Sequence, residues 1–149
     1  ALFTQPAMPI KCAGAPQKAM YLSCSNWEEK KVLNDIEVEM YNAGGVVFGV
    51  PTFVPPLMEY IKRYNAQVNF SHNLVKIDGP SKTATFEVIS PDGEKRRVER
   101  TFDMIHVVPP QVAPDFVAQS PLANAAGWVD VDPHTMQHVR FPNVFSLGA

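Results

Sequence analysis

The chain has 149 residues, with 13 Lys and Arg against 15 Asp and Glu, which leaves a net charge of -2. The length suits one domain with a sizeable core, and a hydrophobic fraction of 46% excludes a wholly disordered chain. The near-neutral charge gives no general attraction to nucleic acid, two cysteines exclude a disulfide-dense scaffold, and no apolar stretch approaches the ~20 residues that span a bilayer.

The first regular element predicted along the chain is a helix over Pro16–Leu33. Proline suits the first position of a helix, where its missing N–H group costs no hydrogen bond. Met20, Cys24 and Trp27 then recur at the spacing of one helical face. We therefore expect this face to be buried and Cys24 to be a packing residue.

Several strands and a second helix are predicted after the first helix. Asp35–Tyr41 alternates apolar and acidic side chains, as a half-buried strand does. Thr52–Asn65 predicts a helix. Pro55 and Pro56 are compatible with it because they fall in its first turn, where proline is tolerated. The other predicted strands are Gln67–Ser71, Leu74–Asp78, Thr83–Ser90, Glu94–Phe102, Met104–Val108, Gly127–Asp132 and Asn143–Leu147.

An antiparallel ribbon is predicted within this series. Ser90–Gly93 carries Pro91 at its second position and glycine at its fourth, which favours a hairpin built on a type I turn. The charged run Glu94–Arg100 then predicts a solvated strand. Met104–Val108 is almost continuously apolar, which is typical of a central strand covered on both faces.

The alternation of strands and helices predicts the α/β class. We expect a Rossmann-like three-layer domain with a parallel central sheet and an inserted antiparallel β-meander. Domains of this fold that bind a dinucleotide carry G-x-G-x-x-G after the first strand, and that motif is absent. The nearest stretch, Asn42–Gly49, has the wrong glycine spacing and does not lead into a helix. The predicted fold is therefore that of a dinucleotide-binding domain, but the loop sequence predicts that no dinucleotide binds.

Cys12 is the first candidate for chemistry, because it lies just before the predicted first helix. The partial positive charge of a helix N-terminus lowers the pKa of a nearby thiol, and Lys11 and Lys18 would add to this if they face the sulfur. A reactive thiol and an ordinary half-buried cysteine both remain open on this pattern. A disulfide to Cys24 would have to reach the third turn of the helix and is not expected.

The histidines offer weaker candidates. His134 and His138 lie close to Asp130 and Asp132 in a predicted loop, but no further ligand completes a metal set, so no metal is expected. His106 lies in an apolar strand and is predicted to be a hydrogen-bonded core residue.

Five segments resemble the sulfide:quinone oxidoreductases, flavoproteins of the FAD-dependent pyridine nucleotide-disulfide oxidoreductase superfamily. Residues 10–22 (IKCAGAPQKAMYL) are similar to the redox-cysteine segment of that family. The others, in the family's order, are His106–Pro110, Ala126–Asp132, Gln137–His138 and Pro142–Gly148. The likeness therefore covers essentially the whole chain.

The resemblance implies a function for the parent protein. Such an enzyme oxidises sulfide to sulfane sulfur or polysulfide and passes two electrons through FAD to a membrane quinone. Cys12 matches the redox-active cysteine, and Lys18 is expected to support its thiolate or the substrate. Pro9, Lys11 and Gly148 are expected near the FAD. No NAD and no metal are implied.

The resemblance also implies a place in a larger protein. Residues 1–149 are expected to form a single NAD-binding-like domain of a flavoprotein with two dinucleotide-binding domains. Residues 1–11 and 141–149 would lead to the FAD domain, and a second redox cysteine would lie beyond this sequence. The parent is expected to be peripheral on a bacterial or mitochondrial inner membrane. This chain alone is expected to be soluble, inactive and prone to self-association through the surface that meets the FAD domain.

Two other functions stay open on the sequence. One is a genuine NAD(P)H-binding domain of a related pyridine nucleotide-disulfide oxidoreductase or of a type II NADH dehydrogenase, which saturable NADH binding would favour. The other is a non-catalytic interaction domain that retains the fold, which a Cys12 thiol of ordinary reactivity would favour.

Overall fold

A computed structural model describes residues 1–90 and 92–147 of the chain. The chain divides into two compact units, Ala1–Pro110 and Gln111–Ala149. The seven strands named below and two of the three α-helices belong to the first unit.

The strands are β1 Leu2–Gln5, β2 Glu39–Asn42, β3 Gln67–Phe70, β4 His72–Asp78, β5 Thr83–Ile89, β6 Lys95–Thr101 and β7 Ile105–His106. The α-helices are α1 Ala15–Glu29, α2 Val54–Arg63 and α3 Asp115–Ala118, and short 3-10 turns cover Leu33–Asp35 and Pro51–Phe53.

Two sheets are built from these strands. The parallel sheet has the order β3-β2-β1-β7, with Phe3 opposite Met40 where β1 meets β2. The antiparallel sheet has the order β4-β5-β6, and its two pairs form the predicted meander. The predicted α/β class, with a parallel sheet and an inserted antiparallel meander, is confirmed.

The parallel sheet lies between the helices and the meander. Because successive side chains of a strand point to opposite faces, Phe3 packs in the core with Met20 and Cys24 of α1. Leu2, its neighbour in β1, packs instead with Phe86 of the meander. Helices, parallel sheet and meander thus form three layers.

Tyr41 packs between the parallel sheet and the meander. Its ring stacks on Phe86 with 4.0 Å between centroids and 17° between planes. Its hydroxyl donates a hydrogen bond to the Glu39 carboxylate. Burial, and then the hydrogen bond and charge of Glu39, raises the pKa of Tyr41 above its ordinary value, so the phenol stays protonated.

Helix α1 ends four residues before the predicted Leu33. Lys31 adopts a left-handed backbone with φ 60°, and the N–H of Val32 bonds the Trp27 carbonyl at 2.9 Å. This hydrogen bond and the left-handed residue are typical of a helix end that usually carries glycine. No glycine is present here, so the sequence did not indicate where the helix ends. The Leu33–Asp35 turn follows, so the strand predicted from Asp35 begins only at Glu39.

The strand predicted at Met104–Val108 is wrong in extent and in place. Only Ile105–His106 pairs, and it lies at the edge of the described sheet, with Met104 and Val107 exposed. The Thr4 hydroxyl replaces further ladder bonds, since it donates to the His106 carbonyl at 3.2 Å and accepts from the Val108 N–H at 3.1 Å.

The prediction for His106 as a hydrogen-bonded core residue is also wrong. Its ring is half-buried beside Phe3, with 5.9 Å between ring centroids. Its buried Nδ1 has no hydrogen-bond partner within the part of the chain that the structure describes.

The ribbon turn agrees with the sequence as far as it is described. The Gly93 N–H donates to the Ser90 carbonyl at 2.8 Å, while Pro91, on which the turn type depends, lies outside the described residues. The charged strand β6 is exposed along most of its length, as predicted, and Lys95 pairs with Glu87 at 3.1 Å.

The second unit has little regular structure. The strands predicted at Gly127–Asp132 and Asn143–Leu147 take part only in isolated bridges, such as Gln137 with Phe145. His138 organises much of this unit, because its Nε2 bonds the Leu122 carbonyl at 3.1 Å and its Nδ1 accepts the backbone N–H groups of residues 140 and 141.

The stacked pair between the layers leads to a stability prediction. Truncation of Phe86 to Ala removes a fully buried ring and leaves a cavity against Tyr41, so we expect a loss of about 3–5 kcal/mol in the free energy of unfolding. Ile89→Ala on the same strand, where the side chain is 46% exposed, should cost less than about 1.5 kcal/mol. Urea unfolding measures both, and equal losses would contradict the three-layer packing.

Candidate functional site

The candidate site lies in the turn that joins β1 to α1, residues 6–14. This turn follows the carboxyl end of a parallel strand, where open α/β sheets place their ligand sites. Ile10 is buried and anchors the turn, whereas Pro9, Lys11 and Cys12 are exposed. The turn therefore exposes the Cys12 thiol and the Lys11 ammonium beside a buried residue that holds it against the core.

Cys12 has an unusual backbone for a residue with a side chain. Its φ of 58° lies in the left-handed region, which residues other than glycine rarely adopt. Where they do adopt it, the residue is often part of a functional site. Its carbonyl accepts the N–H of Ala15 at 2.8 Å, which ties it to the first turn of α1. Both cysteines are free thiols in this structure, Cys12 exposed and Cys24 buried.

Cys24 is a packing residue, as the helix pattern predicted. Its side chain is fully buried in the core beside Phe3 and Met20. Burial, and to a smaller degree the carboxylate of Glu28, raises the pKa of the Cys24 thiol to about 11. This thiol is therefore shielded and protonated near neutral pH.

The other predicted site residues lie around this turn or outside the described residues. Lys18 is exposed on the first turn of α1, and its backbone N–H bonds the Gly14 carbonyl at 2.9 Å. Within residues 1–90 and 92–147 the Lys18 ammonium forms neither an ion pair nor a hydrogen bond, with Cys12 or any other residue. Gly148 lies outside the described residues.

Two buried amides that the sequence analysis missed hold the neighbouring loop, residues 43–50. Gln17 donates from Nε2 to the Val47 carbonyl at 2.8 Å. Asn42 donates from Nδ2 to the Val46 carbonyl at 2.9 Å and accepts the Gly44 N–H at 2.8 Å. The asparagine of Asn-Ala-Gly-Gly is a turn signal, but nothing in the sequence marks Gln17.

Tyr21 completes this hydrogen-bonded group. Its hydroxyl donates to Gln17 Oε1 at 3.1 Å and lies 3.4 Å from the Leu57 carbonyl, so it joins α1 to α2. Burial raises the pKa of Tyr21 to about 12, and the phenol remains a donor at physiological pH.

A groove of about 380 Å³ opens between α1, this loop and the start of α2. Gly14, two residues after Cys12, lies at its edge, and Tyr21, Phe48 and Leu57 form much of its wall. The exposed wall of the groove is almost entirely apolar.

The second unit does not assemble a metal site from the histidines considered above. Within the described residues, no three His, Cys, Asp or Glu side chains come together as metal ligands would. Asp132 instead accepts the backbone N–H groups of His134 at 2.8 Å and Thr135 at 3.0 Å, which lower its pKa. This carboxylate has a structural role in its loop.

Among the described residues, no helix combines the length and the apolar character that a membrane crossing requires.

The chain is similar to curated sulfide:quinone oxidoreductases, although no family model matches it. It is 42% identical over 148 residues to the mitochondrial sulfide:quinone oxidoreductase of Mus musculus, and this match covers 99% of the chain and 32% of the relative. It is 43% identical over 150 residues to the mitochondrial enzyme of Dictyostelium discoideum, again with 99% and 32% coverage. The chain thus spans about a third of these relatives.

Solved structures share the fold. The sulfide:quinone oxidoreductase of Aquifex aeolicus matches with a TM-score of 0.73 at 15% identity, over 97% of this chain and 33% of that one. A chain in the mitochondrial ATP synthase structure of Tetrahymena thermophila matches with a TM-score of 0.74 at 19% identity, over 99% and 35%. The fold is therefore shared, and the curated identities confirm the resemblance drawn from the motifs.

The contrast between the two thiols leads to a labelling prediction. At about pH 8, iodoacetamide should modify Cys12 in the folded chain, because its side chain is exposed. Cys24 should react at least about 100-fold more slowly, since its modification requires opening of the core. Peptide mass spectrometry measures both rates, full denaturation is the positive control for Cys24, and equal rates in the folded chain would contradict the packing.

Proposed function

We propose, on the homology of this chain to the sulfide:quinone oxidoreductases, that it is the part of such an enzyme that carries a redox-active thiol, and that Cys12 is this thiol. The observation that carries the choice is the exposure of Cys12 at the carboxyl end of β1, against the complete burial of Cys24. Of the two thiols in this sequence, Cys12 is the accessible one.

The proposed parent oxidises sulfide to sulfane sulfur or polysulfide and delivers the electrons to a quinone, as a protein peripheral to a bacterial or mitochondrial inner membrane. Two of the homologous enzymes are named as mitochondrial sulfide:quinone oxidoreductases, which supports this substrate pair and location. FAD, when bound, would supply the two-electron acceptor between the thiols and the quinone.

The role proposed for Cys12 is to hold the sulfane sulfur. Hydrosulfide attacks Cys12 Sγ while it is bonded to a second cysteine that the parent supplies. A new S–S bond forms between the substrate sulfur and Sγ, the old S–S bond breaks, and its electron pair leaves on the thiolate of the second cysteine. The proton of hydrosulfide stays on the terminal sulfur of the persulfide or passes to water.

The residues around Cys12 suit a supporting contact to FAD. Pro9 and Lys11 are exposed beside the thiol, and an ammonium group is a suitable donor to the electronegative oxygens of a flavin or its phosphates. The turn has no glycine-rich cradle, so the rest of the parent would bind most of the cofactor. Gly148 is proposed near FAD on the resemblance alone.

Lys18 is proposed to act through space. Its positive charge on the first turn of α1 would favour a thiolate at Cys12 and attract the anionic hydrosulfide. The absence of a competing carboxylate partner for Lys18 in the described part of the chain supports this role.

We propose that this domain binds no NAD. In Rossmann domains an acidic residue after the second strand holds the ribose. Asn42 ends β2 here, and both ends of its amide are already bonded to its own loop. The missing glycine motif and these two hydrogen bonds support the loss of dinucleotide binding. No metal enters the proposed chemistry.

The proposed partner of this chain within the parent is the FAD domain. Val112, Phe116, Phe145 and Leu147 of the second unit are large apolar residues between 63% and 81% exposed. Apolar side chains exposed to this degree are typical of an interaction surface. We therefore propose that the chain alone is inactive and self-associates, as expected for one domain of the larger flavoprotein.

Replacement of the thiol tests the central role. In the flavin-loaded parent, Cys12→Ser should lower the rate of sulfide-dependent quinone reduction by at least about 100-fold, because serine cannot hold sulfane sulfur. Flavin content, measured by absorbance, should stay unchanged.

Cys24→Ala is the matched control, and it should keep the rate within a few-fold, since this thiol packs in the core. A normal rate in the Cys12→Ser enzyme would exclude the redox role and favour a non-catalytic interaction domain.

Titration with NADH tests the proposed loss of dinucleotide binding. We expect no saturable binding to the chain or to the parent up to about 1 mM by calorimetry. Saturable binding in the micromolar range would contradict the proposal and favour an NAD(P)H-binding domain of a related reductase or type II NADH dehydrogenase. A known NADH-binding reductase serves as the positive control.

A further inference from the structure

The apolar groove between α1 and α2 has the size and lining typical of a small-molecule site. Its volume of about 380 Å³ falls within the ~300–1,000 Å³ range of ligand pockets. Phe48 and Phe53 both line the groove, and their rings are in contact, with 6.2 Å between centroids and 64° between planes. Such a wall offers ring faces and edges to an apolar ligand.

The polar groups at this wall are already satisfied by the protein. The Tyr21 hydroxyl bonds Gln17 Oε1 and reaches the Leu57 carbonyl, and Gln17 Nε2 bonds the Val47 carbonyl. These bonds hold the wall in place, and almost none of the exposed surface inside the groove is polar. The body of the ligand is therefore apolar.

Among the described residues that line the groove, Lys18 is the one with a charged side chain. Lys18 lines the groove, is exposed, and forms no ion pair or hydrogen bond through its ammonium within the described part of the chain. Phe53, which also lines the groove, is 55% exposed. An apolar wall beneath an uncompensated ammonium complements a ligand that is apolar at one end and anionic at the other.

We propose that this groove binds an amphipathic organic anion, with an aromatic or short aliphatic body against Phe48, Phe53 and Leu57 and a carboxylate or sulfonate at Lys18. The body would exclude water from the rings, and the head would pair with the ammonium at the rim. The inference concerns binding only and does not rest on the redox role of Cys12.

Naphthoate and its neutral analogue naphthalenemethanol are suitable probes, titrated into the full chain and followed by calorimetry. Naphthoate should bind saturably and more tightly than the alcohol. Lys18→Met keeps the aliphatic stem but removes the charge, so it should weaken naphthoate binding about threefold to tenfold and leave the alcohol unchanged. Lys62→Met, at another exposed lysine in the last turn of α2, is the matched control and should change neither.

Phe53→Ala tests the apolar half of the site. It should weaken both probes by a similar factor, and its exposed position keeps the fold intact, which circular dichroism checks. The proposal is overturned if naphthoate binding does not saturate, or if the Lys18→Met chain binds naphthoate as tightly as the unsubstituted chain does. It is also overturned if Phe53→Ala leaves the binding of both probes unchanged.

Discussion

The burial of strand β1 on both faces is the constraint on which the rest of the first unit depends. Its four residues are all buried, with Phe3 among the helices and Leu2 against the meander. A shift of one residue would exchange these faces, so the register with β2 is fixed. The chain then leaves the sheet after Gln5, and the exposed turn that carries Cys12 follows at the carboxyl edge of the sheet.

The same edge of the sheet bears on the proposal that this domain binds no dinucleotide. Gln17 and Asn42 stand close to the places where a Rossmann domain meets phosphate and ribose, but their amides are bonded to the loop that follows β2. The result is a thiol turn beside an apolar groove. This arrangement supports the proposal that Cys12 provides the chemistry of the domain and the cofactor comes from elsewhere in the parent.

The sequence predicted the elements that carry a repeating pattern and missed those that depend on single contacts. Helix α1 and the meander followed from periodicity and turn residues. The end of α1 did not, because the left-handed residue there is Lys31 and not glycine. The apolar run of Met104–Val108 predicts a central strand, yet Thr4 bonds its backbone and limits pairing. The role of Gln17 could not be predicted from the sequence, because a single buried amide produces no repeating pattern.

The proposed role of Cys12 is tested most directly by locating the sulfane sulfur. Trypsin cleavage after lysine separates Cys12–Lys18 from Ala19–Lys30, so the two thiols fall on different peptides. After anaerobic exposure of the flavin-loaded parent to sulfide, mass spectrometry should find one or more additional sulfur atoms on the Cys12 peptide and none on the Cys24 peptide. A Cys12 peptide that carries no added sulfur while the enzyme turns over sulfide would contradict the account.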